Sequence, residues 1–254
     1  MKLRPDRRFW AAIVILGWVC GLAALALRRD SVPASELLAR GALRLEPSTF
    51  YYLVTHNGLP VGYATSSIDT ASQGLLARDV AVVRGVFGGD SQSVTATSSA
   101  YLSRSFALDS FSFTVRSRAA PFRIHGRPVS RSGVLIPSLA PVALMLTARP
   151  DVGAQRGVWV YSPLSRRVER VTLVIAAESL FRVVDSASFD SVQRRWIPSH
   201  ADTIRAWKIV TPSRAISVWV DSQGRIVAAE EPGGSQLTRT AYEIATLNRK
   251  SPVN

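Results

Sequence analysis

The side chains best equipped for chemistry in this sequence are three histidines, His56, His125 and His200, and one cysteine, Cys20. Histidine supplies metal ligands and general bases near neutral pH, and a thiolate supplies a nucleophile or a soft ligand. Their spacing serves none of these roles. The histidines fall in separate turn-rich segments with no i, i+4 partner, so a metal site would have to be assembled from distant loops. Each is read as a turn or surface residue. Cys20 has no second cysteine to pair with, which excludes an internal disulfide, a thiolate cluster and, in the part beyond it, a cysteine nucleophile. The G-x-S-x-G elbow, the H-E-x-x-H helix and the G-x-x-x-x-G-K-[ST] loop are all absent. Asp69, Asp90, Asp151, Asp202 and Asp221 stand beside turns, where an aspartate caps its own backbone. The expectation is a non-enzymatic chain with no catalytic, metal or cofactor residues.

The strongest signal lies elsewhere. Residues 9–27, FWAAIVILGWVCGLAALAL, carry no charge, and at ~1.5 Å per residue they cover the roughly 30 Å hydrocarbon core of a bilayer. Phe9, Trp10, Ile13, Leu16, Trp18 and Leu27 are the anchor residues of this span. Lys2, Arg4, Arg7 and Arg8 precede it, and Arg28 and Arg29 follow, so the positive-inside bias places the N-terminus in the cytoplasm and the bulk of the chain outside. The alternative is a cleaved signal peptide, for which Ala24-Leu25-Ala26 offers a small-x-small site, but the run exceeds the usual h-region of about 7–15 residues. A single-pass anchor in a bacterial cytoplasmic membrane, with a periplasmic domain, is the expectation.

That domain is basic. The chain has 31 Lys plus Arg against 18 Asp plus Glu, a net +13, of which +9 remains after the first thirty residues. Such a charge favours anionic lipid or acidic partners. No RNP box, zinc-finger spacing or basic helix accompanies it, so nucleic acid is not expected as a partner. Residues 1–30 are read as basic tip and anchor, 31–48 as a juxtamembrane linker, and 49–254 as one extracytoplasmic β domain.

From Phe50 onward the pattern has period two. FYYLVTH, Asn57-Gly58 and VGYATSSID read as a hairpin with a two-residue turn. Further strands are expected at 75–84, 91–102, 108–116, 122–129, 157–161, 168–176, 204–211, 215–220, 226–230 and 236–240. Alternations such as Phe111, Phe113 and Val115 give one apolar face, the mark of an antiparallel sheet packed on one side. The fold class is mainly β: a large curved antiparallel sheet, half-barrel-like, after an N-terminal membrane helix. The exception is 134–149, VLIPSLAPVALMLTAR, too short to span a membrane. With Ser138 as cap and Pro141 in the first turn it should form a short helix buried on the concave face. Leu139, Val142, Leu144, Met145 and Leu146, with Trp207 and Trp219, are the candidate core or apolar pocket. The two tryptophans are expected to share one aromatic cluster across neighbouring strands.

VGYATSSIDT, RAWKIV, WVDSQGRIVAAE and RTAYEIA resemble the β-rich extracytoplasmic region that precedes transglutaminase-like domains in some bacterial proteins. The cysteine–histidine–aspartate domain that follows in that group is not among these residues, so the resemblance implies only a non-catalytic module. The W-x-D-x-x-G-x-[IV] hairpin is also similar to one in lipoprotein-carrier-like β folds, where a curved sheet cups an apolar cavity beneath a helical lid. Two functions are therefore expected to compete. One is an accessory scaffold subunit holding a membrane protein complex, of respiratory or photosynthetic type. The other is a tethered carrier or sensor for a lipid or other amphiphile.

Overall fold

Asn57 and Gly58 take φ of 50° and 79°, as a type I′ turn requires, and join β1 (Ser48–His56) to β2 (Leu59–Ala71) in antiparallel register. The computed structural model describes residue 40 and residues 45–248 other than 73, 88–89, 105–106, 118–120, 128–133, 148–149, 163–166 and 213–215. The anchor residues Phe9, Trp10, Ile13, Leu16, Trp18 and Leu27 lie outside them. Among the described residues no helix is long and apolar enough to cross a membrane.

After β2 the chain meanders through β3 (Gly74–Phe87), β4 (Asp90–Ser103), β5 (Leu108–Arg116) and β6 (Phe122–Gly126). The short β7 (Val134–Leu135) leads through a 3-10 turn (Pro137–Leu139) into α1 (Ala140–Thr147). A second meander follows: β8 (Gln155–Ser162), β9 (Arg167–Asp190), β10 (Arg195–Thr211), β11 (Ile216–Asp221), β12 (Ile226–Glu230) and β13 (Ser235–Thr240), then α2 (Tyr242–Thr246). The strands make one sheet in the order β6-β5-β4-β3-β2-β1-β13-β12-β11-β10-β9-β8-β7. β13 pairs with β1, so the two meanders fan out from the middle, and only β7 beside β8 is parallel.

The sheet is strongly curled. Phe111 on β5 and Tyr161 on β8 have ring centroids 4.8 Å apart, although ten inter-strand steps separate their strands in the sheet order. Laid flat, those steps of roughly 4.8 Å would hold them roughly 48 Å apart. α1 occupies the enclosed side. Leu139, Val142, Leu144, Met145 and Leu146 are all at most 6% exposed, and Leu139, Leu144 and Met145 share a core with Phe111, Leu173, Ile209 and Val220 from strands in both halves of the sheet. A helix apolar all round is stable only when surrounded. Ala77 and Ala100, adjacent on β3 and β4, keep the sheet surface low in that same core.

Two details differ from the sequence reading. Ser138 is not a cap: it lies inside the 3-10 turn, whose N-cap position belongs to Ile136 and has no side-chain hydrogen bond. Trp207 and Trp219 do not form one cluster. Trp207 sits opposite Val220, and Trp219 opposite Lys208, so the period-two register sends them to opposite faces. Trp207 packs in the core around α1. Trp219 packs on the outer face with Val183, Val227 and the edge of the Phe181 ring, while Lys208 Nζ lies 5.4 Å from its ring centroid.

That outer core has a structural source. Beyond Val174 and Ala206, β9 and β10 pair only with each other, and the resulting ribbon lays Val183 and Phe181 over Trp219. Near its tip the Asn248 side chain imitates a neighbouring strand, accepting from the Trp196 amide at 2.6 Å and donating to the Trp196 carbonyl at 2.8 Å.

Candidate functional site

The inner face of β1 to β5 carries a continuous cross-strand row: Phe50, Ser66, Asp79, Ser98 and Phe113, each the register partner of the next. Rows on either side are apolar. Below it run Ile68, Ala77, Ala100 and Phe111, and above it Ala64, Ala81, Ala96 and Val115. A carboxylate thus stands in the middle of a hydrophobic surface. Ser66 Oγ donates to Asp79 Oδ1 at 2.7 Å and Ser98 Oγ to Asp79 Oδ2 at 3.0 Å. One donor per oxygen leaves acceptor capacity unused on both.

Two cavities meet at this row. The first, of about 180 Å³, lies between β1–β3 and α1 and is lined by Phe50, Tyr52, Ser66, Asp79, Leu139 and Arg225, among others. The second, of about 260 Å³, is lined by Phe111, Phe113, Ile136 and Pro137 with Ser98, Ser99 and Ser112. Asp79 and Ser138 belong to both walls. Each alone is smaller than the roughly 300–1,000 Å³ of drug-sized sites. Leu139 and Val142 from the predicted apolar set face the first cavity. Leu144, Met145, Leu146, Trp207 and Trp219 do not line either: all are buried, Leu144, Met145 and Trp207 in the inner core and Trp219 in the outer one.

The rim of the first cavity is built by the W-x-D-x-x-G hairpin. Asp221, only 2% exposed, accepts from the amides of Gln223 and Arg225 at 2.9 Å and from Arg225 Nε at 2.7 Å, which satisfies a charge that would be costly unpaired. Gly224, at φ 78°, brings this turn against Leu146 and Val142 of α1. The Tyr52 hydroxyl donates to the Ile226 carbonyl at 3.2 Å, and burial pushes its pKa up, with Arg239 partly offsetting this. Arg239, the register partner of Tyr52, stacks over Phe50 at 4.1 Å. Burial, followed by repulsion from Arg225, pulls its pKa down.

The histidines occupy other places. His56 ends β1 with Nδ1 3.2 Å from Ser235 Oγ, and His125 is exposed on β6. His200 lies at a register shift of β10, 3.6 Å from Asp185 and 3.8 Å from Asp202. These three are the group among the described residues that could hold a metal ion, and all are exposed. Sequence reading missed both this grouping and Asp79. Position 79 shares a side of β3 with Leu75, Ala77 and Val83, but the other side is apolar too, so the strand's own pattern does not show which one turns inward.

The chain matches no protein-family model and no curated protein. Two solved structures show a distant similarity to it. A β-barrel-like protein of domain of unknown function DUF1849 from Brucella abortus is 11% identical with TM-score 0.46, over 77% of this chain and 98% of that one. A DUF1089 family protein from Pseudomonas aeruginosa is 10% identical with TM-score 0.37, over 67% and 90%. Neither bears on the transglutaminase-associated or lipoprotein-carrier-like resemblance.

Proposed function

We propose that this chain is a membrane-tethered, non-catalytic binding module whose curled sheet holds an amphiphile between its inner face and α1. One observation carries the reading: the Ser66–Asp79–Ser98 group, set in an apolar wall where two cavities meet. Water or a ligand must complete the coordination of that carboxylate, because an under-satisfied charge on an apolar surface is expensive. The apolar rows beside it suit a hydrocarbon body. Residues 9–27 would tether the module to the cytoplasmic membrane with the domain outside, and its net +9 would keep it close to anionic lipid.

A second reading, an accessory subunit of a membrane protein assembly, is favoured by the β9–β10 ribbon. Leu180, Phe189 and Val192 stand 68%, 54% and 91% exposed along it, a spread of apolar contacts suited to a protein neighbour. Native mass spectrometry of the full chain, extracted in mild detergent, separates the two. The binding module predicts a bound small amphiphile in stoichiometric amount. Co-purifying protein with no bound amphiphile would favour the accessory subunit.

A further inference from the structure

We infer that the ligand of the inner cavity carries a cationic, hydrogen-bond-donating head, an ammonium or amine, held at Asp79. This rests on the binding-module reading and adds the head-group chemistry to it. Asp79 keeps free lone pairs on both oxygens after the two serine bonds, and it forms no ion pair with a basic side chain among the described residues. The basic group sharing its cavity, Arg225, is committed through Nε to the buried Asp221. Arg239 lies over the Phe50 ring and does not line either cavity. Glu46 adds a second carboxylate to the lining of the first cavity. The lining of the two cavities thus carries two carboxylates, Asp79 and Glu46, against one arginine, a balance that favours a positive charge, inside a chain that is otherwise basic. A carboxylate takes an N⁺–H donor through a charge-assisted bond, roughly twice as strong as a neutral one, and more so away from bulk water. The apolar wall of Phe111, Phe113, Ile136 and Pro137 begins at the same residue. A head at Asp79 with its alkyl body along those side chains uses both parts of the site.

Three eight-carbon probes that differ only in the head decide this: octylammonium, 1-octanol and octanoate, titrated calorimetrically into the full chain. One detergent for all titrations, with blank micelles subtracted, corrects for partition. The inference predicts octylammonium binding about tenfold tighter than octanol, and octanoate weakest. In Asp79→Asn the ammonium advantage should vanish while octanol affinity holds. Equal affinities, or tighter octanoate, would overturn the head-group assignment and leave the binding module standing. No binding by any probe would overturn both. The comparison of probes in the unsubstituted chain decides even if Asp79→Asn folds poorly.

Discussion

Replacing Gly224 by alanine should destabilise the domain by about 2–5 kcal/mol, through two separable effects. Gly224 has φ 78°, a left-handed conformation that costs a residue bearing a Cβ about 1–2 kcal/mol. A Cβ there would also meet Leu146 Cγ and Cδ2 at 3.0 Å and Val142 Cγ1 at 3.3 Å. Leu146 is 6% exposed and lines neither cavity, so it has no open space to retreat into, whereas Val142 borders the first cavity and gives way more easily. Overpacking of this kind costs about 1–3 kcal/mol. Guanidinium unfolding followed by tryptophan fluorescence measures the sum, and a cycle with Leu146→Ala separates the parts. Truncating Leu146 removes the two closest atoms but leaves the backbone conformation, so the double mutant should recover about 1–3 kcal/mol relative to additivity. A total loss well under 1 kcal/mol, or strict additivity, would refute the claim that this hairpin is pressed against α1.

Other outcomes follow from the same contacts. Leu144→Ala, at a position 3% exposed, should cost about 2–5 kcal/mol in the same assay if α1 is fixed core, and clearly less if it is a mobile lid. Burial holds the Tyr52 hydroxyl protonated well above its usual range, so the folded state keeps a proton that the unfolded chain releases. That contribution is full below about pH 10 and is lost as pH rises beyond it; Tyr52→Phe should flatten the alkaline decline of stability, and an unchanged pH profile would contradict the burial. A reporter fused after residue 254 should be active only outside the cytoplasm if residues 9–27 are an anchor with the N-terminus inside, and cytoplasmic activity would reverse the topology.

The local rules of β-structure were readable where they act over a few residues. Asn57-Gly58 announces its turn, and 108–116 and 226–230 were bounded correctly, because turn residues and alternation mark their ends. The ribbon was not readable. Strands expected at 168–176 and 204–211 run to Asp190 and start at Arg195, because in the extra length of β9 buried Val183 and exposed Leu180 and Phe189 are interleaved with polar residues, and period-two reading depends on one consistently buried face. Asp79 was hidden differently. β3 carries Leu75, Ala77 and Val83 on one side and Leu76, Val80 and Val82 on the other, so alternation does not say which side turns inward. Only pairing with Ser66 and Ser98 does. Trp207 and Trp219 show the same limit, since their faces follow from an inter-strand register that no local pattern contains. α1 was legible because its composition leaves burial as its one stable environment.

The central claim is that the enclosed face, not the outer one, receives the ligand. Photolabelling of the full chain with an alkyl-diazirine amine, followed by peptide mapping, tests it most directly. The account predicts adducts at the cavity wall, on Phe111, Phe113, Ile136 and Pro137, reduced by excess octylammonium. Adducts confined to the exposed Leu180, Phe189 and Val192 of the ribbon, with no competition, would contradict it.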